Sequence, residues 1–573
     1  MAPLFDRQEI MAALSKRLEG FLAGYRQNIA LLGPEAVGKT SLLKRLLQEK
    51  CVQSTSPVTV YLALSEEESL AEWAARFIET LLNAVVRIQR MDSSAHGLPS
   101  LLKFCAHALP QTVASAQKIL SLSGDKKFSE EVFDNLWDLP QFVTQETGLP
   151  CLLVLDEFHR FQQFRVKEPF KKLGRKIMVQ STTMYLAASS QPHVARQILR
   201  EGLSLLFGQF EIIEMGPLDQ ASSLKAVRSV WTEEKTDPFL EHLLVELAQG
   251  YSAYLDLLLQ GLIGRPLPRL VEEQERVILD LLETQLLDPQ GGLRHRFESR
   301  LRVLPADRGR RTWLQVLSAV SMGYHRVPQI AGAVERSGSH VTRALKILEQ
   351  SGLVVKQGIF YRIPDRLFRF WMVTAYPILQ GTILSDIVHM RARFRDQSWS
   401  WMSKVRDAMY RPFEEQVIEL VRQWAGELVE IEGKRILLPK CSRIEVVSTV
   451  VGGPAVVAHQ KEQEGKSWLL VPWAGSLEEA QARQLAQALS KLPFKDYRKV
   501  LIGAYPVEIN GRLVLQEARI RLWDLGVFNN LLDLYGLARI PLPSGVRPPV
   551  ASAVSVPTQE AAGTAYTRIH LAT

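Results

Sequence analysis

At residues 33–40 the chain reads Gly33-Pro34-Glu35-Ala36-Val37-Gly38-Lys39-Thr40, which fits the pattern G-x-x-x-x-G-K-[ST] at every fixed position. An apolar run precedes this stretch, and a helical pattern follows it from Ser41. Glycines permit the tight turn in which backbone N–H groups surround a phosphate, while the lysine reaches the β- and γ-phosphates and the threonine hydroxyl ligates Mg²⁺. We therefore expect a nucleotide to contact residues 33–41, namely Gly33, Pro34, Glu35, Ala36, Val37, Gly38, Lys39, Thr40 and Ser41, with Lys39 also taking part in catalysis.

Two carboxylates follow another apolar run further along the chain. Residues 150–156 end in Asp156, and Glu157 comes next. The carboxyl end of a strand in a parallel sheet is where ligands bind. Asp156 would hold Mg²⁺ together with Thr40, and Glu157 would position and deprotonate the attacking water. The alternative is the solvated start of a helix, where carboxylates are also favoured.

The first 215 residues contain short apolar runs that alternate with helical patterns, at 28–32, 58–64, 150–156, 183–189 and 210–215. Near-continuous apolar strands of this kind predict a buried parallel sheet in an α/β layer fold. The fourth run leads into Ser190, which would sense the γ-phosphate; the alternative is a turn that caps the next helix. Candidates for an arginine finger are Arg160, Arg196 and Arg200.

Composition excludes several classes of protein. The chain has 573 residues, of which 46% are hydrophobic and 23% charged, and this excludes collagen, wholesale disorder and a small disulfide scaffold. At about 100–200 residues per domain, three or four domains are expected. Four cysteines lie far apart without a Cys/His cluster, which argues against zinc and fits a reduced cytoplasm. Neither a signal peptide nor an apolar run long enough for a membrane is seen, so a cytoplasmic location is expected.

The net charge of +8 is unevenly distributed. Residues 291–411 contain 21 Lys and Arg against 8 Asp and Glu, a net charge of +13, whereas the rest of the chain carries −5. Such an excess fits contact with a phosphate backbone; the alternative is that its arginines pair with acidic surfaces of other domains. Its members include Arg294, Arg296, Arg300, Arg302, Arg308, Arg310, Arg311, Arg391, Arg393 and Arg395.

A pattern of helix, turn, helix and two short strands lies within this basic segment, over 327–363. Apolar residues of the second helix would face the core, whereas His340, Arg343 and Lys346 would face outward, as on a helix that enters the major groove. Lys356 and Arg362 lie on the two strands, which would form a wing. DNA contact stands beside the alternative of a protein-interaction or lid module.

Several of these motifs together resemble the archaeal-type ATPase family, which is related to the AAA+ and STAND P-loop ATPases. The resemblance is carried by FDRQEIMAAL, GPEAVGKTSLL, LLVLDEFHRF, YLAASSQ and LLFGQFEIIEMGPL, and by the segment from Tyr361 to Trp371. The chain departs from the family at Ala188, where glycine is usual, and at Gln209, where arginine is frequent. The resemblance implies an ATPase that uses ATP and Mg²⁺ and carries a winged helix.

The resemblance also implies that residues 401–542 form a domain similar to the PD-(D/E)xK nucleases. Their chemistry needs an acid on one strand and E-x-K on the next, with two carboxylates holding Mg²⁺. Histidine replaces the second acid in this chain, and imidazole is a poor ligand for Mg²⁺. We therefore expect a nuclease-like fold that serves binding or assembly, with degenerate positions at Glu415, Glu445, His459 and Lys461.

The predicted architecture is multidomain α/β. Its parts are a P-loop ATPase domain (1–215), a helical lid (216–290), a winged-helix domain with a basic lead-in (291–380), a basic linker (381–400), a restriction-endonuclease-like α/β domain (401–542) and a disordered tail (543–573). The expected function is an ATP-binding, slowly hydrolysing switch that couples nucleotide state to DNA or protein binding, self-association included, with no membrane partner. The alternatives are an ATP-dependent DNA nuclease that acts in genome defence or mobile elements, and a scaffold ATPase that does not bind DNA.

Overall fold

The computed structural model describes residues 7–50, 57–65, 68–91, 97–202, 210–229, 237–263, 270–305, 308–381, 387–431, 433–449, 453–460, 467–492, 497–505, 507–540 and 569–570. The chain divides into two compact units. The first contains Met1–Ala226 and Gly250–Leu255, and the second contains Val227–Gln249 and Asp256–Thr573.

The first unit is built on parallel strands, namely β1 (Asn28–Leu32), β2 (Val58–Ala63), β3 (Cys151–Asp156), β4 (Thr183–Ser189) and β5 (Phe210–Glu214). Their order across the sheet is β2-β3-β4-β1-β5. Leu32 lies beside Ser189 and Ala63 beside Asp156, so the carboxyl ends of β1–β4 meet at one edge. The strands β1, β3 and β4 are buried throughout, which explains their near-continuous apolar sequences.

Helices cover both faces of this sheet. They are α1 (Gln8–Leu22), α2 (Lys39–Lys50), α3 (Leu70–Ile88), α4 (Leu98–Cys105), α5 (Pro110–Ser123), α6 (Ser129–Leu136), α7 (Leu139–Thr147), α8 (Pro169–Val179) and α9 (Pro192–Gln197), with 3₁₀ turns at Lys126–Phe128 and Phe158–Gln163 and a π turn at Ile198–Gly202. Leucines of α1 and α2 pack on one face. On the other face, α3–α8 and the second 3₁₀ turn enclose an aromatic cluster that includes Trp73, Phe77, Trp137 and Phe161. Burial on both faces holds the carboxyl edge rigidly in place.

A largely helical region follows. It contains α10 (Gln220–Arg228), α11 (Pro238–Ala248), α12 (Ser252–Gln260), α13 (Val271–Leu286), α14 (Gly292–Arg302), α15 (Arg310–Ser321), α16 (Val327–Val334), α17 (Gly338–Gln350), an antiparallel hairpin of β6 (Val355–Gln357) and β7 (Phe360–Arg362), α18 (Arg366–Thr374), α19 (Tyr376–Gly381) and α20 (Ile387–Tyr410). Most of the segment predicted as a basic linker, 381–400, therefore lies in the helix α20.

The end of the chain forms a mixed sheet between helices. The elements are α21 (Phe413–Arg422), β8 (Glu427–Ile431), β9 (Lys434–Leu438), β10 (Cys441–Thr449), β11 (Gly453–Gln460), β12 (Trp468–Trp473), α22 (Glu479–Lys491), β13 (Arg498–Gly503), α23 (Ile509–Glu517), β14 (Arg521–Asp524), α24 (Leu525–Leu534) and β15 (Ile569–His570). The order is β14-β13-β12-β11-β10-β15, and β8 pairs with β9 separately. The helices α21 and α24 pack on one face, and α22 and α23 on the other.

For two of the sequence predictions, the structure can be consulted only within the described residues. The predicted disordered tail lies outside them except for Ile569–His570, which pair with β10. Within the described part of the chain, no helix combines the length and the apolar character needed to cross a membrane.

Candidate active site

The loop after β1 carries the most specific sequence motif and leads directly into α2. A Cβ atom at Gly33 would lie 2.1 Å from the carbonyl oxygen of Met215, so only glycine fits there. Gly38 has a φ of +96°, a left-handed conformation that favours glycine. Lys39 is 5% exposed, and its ammonium group donates to the carbonyl oxygens of Gly33 (2.9 Å) and Pro34 (2.8 Å). The loop therefore combines a tight turn with a buried cation at its centre.

The charge of Lys39 is influenced by its surroundings. Burial lowers the pKa of Lys39, and the nearby carboxylates Glu157, Asp156 and Glu35 oppose that shift. An anion bound in the loop would act in the same direction as these carboxylates and favour the ammonium form of Lys39.

Thr40 and Tyr61 both bind the same oxygen of Asp156. The Thr40 Oγ1 donates to Asp156 Oδ2 at 2.7 Å, and the Tyr61 hydroxyl donates to that oxygen at 2.8 Å. Burial raises the pKa of Tyr61, so the phenol stays a donor at neutral pH. Asp156 is 2% exposed, and its other oxygen, Oδ1, is buried without a hydrogen-bond partner among the described residues. The structure thus brings the two predicted metal ligands together.

Glu157 is held by Ser190 across the edge of the sheet. The backbone N–H and the hydroxyl of Ser190 both donate to Glu157 Oε2, at 2.9 Å and 2.8 Å. Glu157 itself has a φ of +59°, which is uncommon for a residue with a side chain and turns the chain sharply after β3. Burial raises the pKa of Glu157, and the Ser190 N–H, Lys39 and the Ser190 hydroxyl partly offset that rise.

A histidine that the sequence analysis missed lies beside this pair. His159 Nδ1 lies 2.9 Å from the hydroxyl oxygen of Ser189 and 3.4 Å from Glu157 Oε2. Burial, reinforced by Arg160 and Lys39, lowers the pKa of His159 to about 4, so the imidazole is neutral at pH 7. The signals in the sequence were its position three residues after Asp156 and the paired serines that end β4. Tyr61, at the end of β2, carried the same kind of positional signal.

A short segment from later in the chain also contacts the phosphate-binding loop. The Ala253 N–H donates to the carbonyl oxygen of Ala36 at 3.0 Å, and the Ser252 hydroxyl donates to it at 3.4 Å. Ala36 has a φ of +65°, which directs its carbonyl away from the regular turn. Tyr251 and Ser252 belong to the first unit, so the start of α12 packs against this loop within that unit.

The remaining predicted residues of this region are placed as follows. Glu35, Thr40 and Ser41 are exposed, and Val37 is buried below the loop. Each arginine-finger candidate contacts its own unit: Arg160 donates to the Leu64 carbonyl, Arg196 pairs with Glu214 and Arg200 with Glu201. Gln209 lies outside the described residues.

Many arginines of the basic segment form ion pairs inside the second unit. On α20, Arg391 and Arg395 pair with Glu283, and Arg395 also with Asp280, on α13. The remaining pairs include Arg294 with Glu298, Arg300 with Asp365, Arg406 with Glu275 and Arg411 with Glu419. Part of the charge of this segment is therefore paired within the second unit, and the pairs of Arg391, Arg395 and Arg406 with α13 are of the kind expected if its arginines pair with acidic surfaces of other predicted domains.

The helices α15–α17 and the hairpin β6–β7 have the order expected of a winged helix. On α17, Val341, Leu345 and Leu348 are fully buried, whereas His340, Arg343 and Lys346 are exposed. On the hairpin, Lys356 is exposed and Arg362 is half-buried, with its guanidinium 3.3 Å from Gln357 Oε1. The DNA-binding role of these residues stays a prediction.

The hairpin is docked against the strands β8 and β9. A Cβ atom at Gly358, in the turn, would lie 2.7 Å from the Leu428 carbonyl oxygen, and the Gln357 amide donates to the Glu430 carbonyl at 2.8 Å. Phe360 is 2% exposed within the core of the C-terminal sheet, where its ring meets that of Tyr535 edge to face. The turn of the predicted wing is therefore covered by its own chain.

The predicted degenerate nuclease positions are only partly brought together. Glu445 on β10 is 5% exposed, lies 3.8 Å from His459 Nε2 on β11 and pairs with Arg443 at 2.5 Å. Glu415 is exposed on α21, and Lys461 lies outside the described residues. In the part of the chain that is described, no three His, Cys, Asp or Glu side chains are grouped to hold a metal ion.

Comparison with known protein families gives a match within the first unit. Residues 3–176 match the model of the AAA ATPase domain. The search of curated proteins gave no match. Among solved structures, the chain is similar to a Walker-type ATPase of Pyrococcus abyssi, with 19% identity, a TM-score of 0.43, and coverage of 64% of this chain and 96% of that chain.

Two further solved structures are proteins of Aeropyrum pernix. One is its ORC2 protein, with 13% identity, a TM-score of 0.39, and coverage of 69% of this chain and 95% of that one. The other is its ORC1 protein in complex with DNA, with 16% identity, a TM-score of 0.35, and coverage of 66% and 95%. The domain match and the loop geometry identify a nucleotide-binding P-loop ATPase domain, which confirms the predicted fold class and enzyme class.

Proposed function

We propose that the P-loop ATPase domain of this chain binds ATP with Mg²⁺ and hydrolyses it slowly, and that the nucleotide state controls contact with DNA through α17. The observation that carries the ATPase part is the convergence of Lys39, Thr40, Asp156 and Glu157 at one edge of the sheet. The resemblance to STAND proteins supports a slow, regulatory turnover, and the separated cysteines suit a cytoplasmic location.

The residues present fit Mg²⁺. Asp156 Oδ1 is a buried oxygen without a hydrogen-bond partner among the described residues, and the Thr40 hydroxyl lies against the same carboxylate. Oxygen ligands of this kind are what Mg²⁺ prefers. Thr40 and Asp156 would hold the ion, which when bound neutralises charge on the β- and γ-phosphates.

Glu157 is the proposed general base and Ser190 the proposed sensor of the γ-phosphate. Because burial raises the pKa of Glu157, the carboxylate is a better proton acceptor than an exposed glutamate. The two hydrogen bonds that Ser190 donates to Glu157 hold the carboxylate in one orientation. A γ-phosphate that accepts the Ser190 hydroxyl would compete for this donor, so nucleotide binding and release of Glu157 are linked. A slow turnover follows if that release is infrequent.

The DNA part of the proposal has a geometrical basis in α17. His340, Arg343 and Lys346 are exposed on one side of a helix whose other side is buried, as a helix in the major groove requires. The docked hairpin limits the minor-groove contact that a wing would make. Protein partners and self-association remain the alternative use of the same face.

Cleavage of DNA is the less favoured function. The Glu445 carboxylate pairs with Arg443, and a guanidinium beside a carboxylate opposes binding of a divalent cation there. A nuclease-like domain that binds without cutting is therefore the proposal for the C-terminal sheet. Cleavage of plasmid DNA with Mn²⁺ that is lost in Lys461→Ala would contradict it.

One filter-binding experiment tests the switch. Full-length protein is titrated with duplex DNA, with and without ATP, across a salt series, for the wild type, Lys39→Ala and Glu157→Gln. We expect Lys39→Ala to lose nucleotide binding and the effect of ATP on DNA, and Glu157→Gln to trap bound ATP with turnover reduced at least about 100-fold. Unchanged ATP turnover in both variants would refute the roles assigned to Lys39 and Glu157. A DNA affinity of the wild type that does not depend on nucleotide would refute the coupling between nucleotide state and DNA binding.

A further inference from the structure

Part of the charge of the basic segment that is not paired with carboxylates lies at one recess. Arg294, Arg300, Arg391 and Arg395 are paired with carboxylates. Arg308 and Arg311, at the start of α15, have no acidic partner among the described residues, and both are exposed. They face a recess of about 530 Å³ whose lining also includes Arg310, Gln315, Ser318, Tyr376 and Gln380. The described lining contains three guanidinium groups and no carboxylate.

We propose that this recess binds a phosphate group of the backbone of duplex DNA. The proposal rests on the DNA-binding part of the function proposed above and names where on the chain that contact is made. A volume of this size is in the usual range of ligand sites, about 300–1,000 Å³. Arginine forks match phosphate oxygens, and Gln315, Ser318 and Gln380 offer neutral donors around them.

One arginine of the lining, Arg310, is held in place before any ligand arrives. Arg310 donates to the carbonyl oxygens of Leu301 and Leu304, so it is fixed against the end of α14 while Arg308 and Arg311 stay available. Burial raises the pKa of Tyr376, although Arg310 opposes this, and the phenol therefore remains a donor at neutral pH. The first turn of α15 adds the positive end of its helix dipole.

The surroundings of the recess favour an extended polyanion over a small free anion. The hydrogen bonds of Arg310 join the start of α15 to the end of α14, where Arg302 is exposed; Arg296 is exposed on the same helix. The helix to which Arg310 is bound therefore carries two further exposed guanidinium groups. A phosphodiester backbone presents successive phosphates, so several guanidinium groups of this region can each contact one.

The test compares two double variants with the same change in charge. Arg308→Ala/Arg311→Ala removes the unpaired arginines, and Arg391→Ala/Arg395→Ala removes two that are paired with α13. Affinity of full-length protein for duplex DNA is measured by filter binding across a salt series, and ATP turnover reports on folding. We expect the first variant to lose affinity at least about tenfold at about 0.1 M salt and to flatten the slope of log K against log salt by about 1.8, since each phosphate contact contributes about 0.9.

The control and a rescue define the outcomes. The α20 variant is expected to keep the wild-type slope, and Arg308→Lys/Arg311→Lys is expected to restore it. If the wild type binds DNA and the Arg308/Arg311 variant keeps the wild-type slope, the recess is not the phosphate site, while the proposed function stands. If the wild type binds no DNA at any salt, the DNA part of the proposed function falls, and the recess with it. Displacement of DNA by low millimolar pyrophosphate at constant ionic strength would overturn the proposal in favour of a small-anion site.

Discussion

At the scale of single residues, the ATPase site depends on the hydrogen bonds that join Ser189, Ser190, Glu157 and His159. Ser190 donates twice to Glu157, and Ser189 binds His159, so consecutive serines at the end of β4 orient both groups that follow β3. Burial alone would make Glu157 a weak acid that is protonated too easily to act as a base at moderately low pH. The Ser190 contacts therefore set the pH range in which the base is available.

This argument predicts a pH effect of Ser190→Ala. Loss of the hydroxyl removes a hydrogen bond that stabilises the charged form, so the pKa of Glu157 should rise further. Because the base must be ionised, the acidic limb of the kcat profile is expected to move to higher pH. Ser121→Ala, whose hydroxyl binds a backbone carbonyl on α5, is the control. A limb that stays in place or moves to lower pH would contradict the role of Ser190.

At the scale of elements, the hairpin β6–β7 is the part whose structure departs most from its expected use. Its order in the sequence predicts a wing, and its turn is instead covered by β8. Gly358 and Gly352 both have positive φ, +65° and +71°, but only Gly358 has backbone within 4 Å of where its Cβ would lie. The same substitution at these two glycines therefore distinguishes the cost of backbone strain from the cost of a close contact with β8.

Gly358→Ala should destabilise the hairpin more than Gly352→Ala does. Both substitutions place a side chain in the left-handed region, at a cost of about 1–2 kcal/mol. Gly358→Ala adds a contact of 2.7 Å with the Leu428 carbonyl, so an extra loss of about 1–3 kcal/mol is expected. Hydrogen exchange of peptides from the hairpin and β8 measures the difference. Equal protection in the two variants would mean that the hairpin is not held against β8.

The sequence predicted several secondary-structure elements, but it did not predict which distant residues contact each other. The run 183–189 predicted β4 to the residue, because a strand buried on both faces is apolar throughout. The motif residues fixed the loop and its two carboxylates for a similar local reason. By contrast, Tyr61 meets Asp156, and Gln357 meets Glu430, across separations of 95 and 73 residues. Contacts of that range depend on tertiary packing, which no local pattern encodes.

At the scale of the whole molecule, the basic excess first read as one surface divides into paired and unpaired charge. One group of buried ion pairs in the second unit centres on Asp533, which lies 3.2 Å from Arg366 Nε and 2.5 Å from Arg539 Nη2. Arg366 also pairs with Glu246, and Arg326 with Glu427. These pairs connect segments that the sequence analysis assigned to the lid, the winged helix and the C-terminal domain. The predicted domains of the second unit are thus joined through buried charge.

Asp533→Asn should loosen that group of ion pairs, and the loss should depend on pH. Burial would raise the pKa of Asp533, but Arg366 and Arg539 outweigh burial and hold it below its usual value. A carboxylate whose pKa is depressed in the folded state stabilises fully above its unfolded pKa, about 3.9, and this contribution disappears as the pH falls through the folded value. At pH 7 we expect the variant to lose about 3 kcal/mol of protection in α18 and α24, measured by hydrogen exchange, because a buried partner is left uncompensated. The control is Asp396→Asn at an exposed position of α20, which should change this protection little. If the difference between the wild type and Asp533→Asn persists unchanged at pH 3, packing rather than the ion pairs carries the effect.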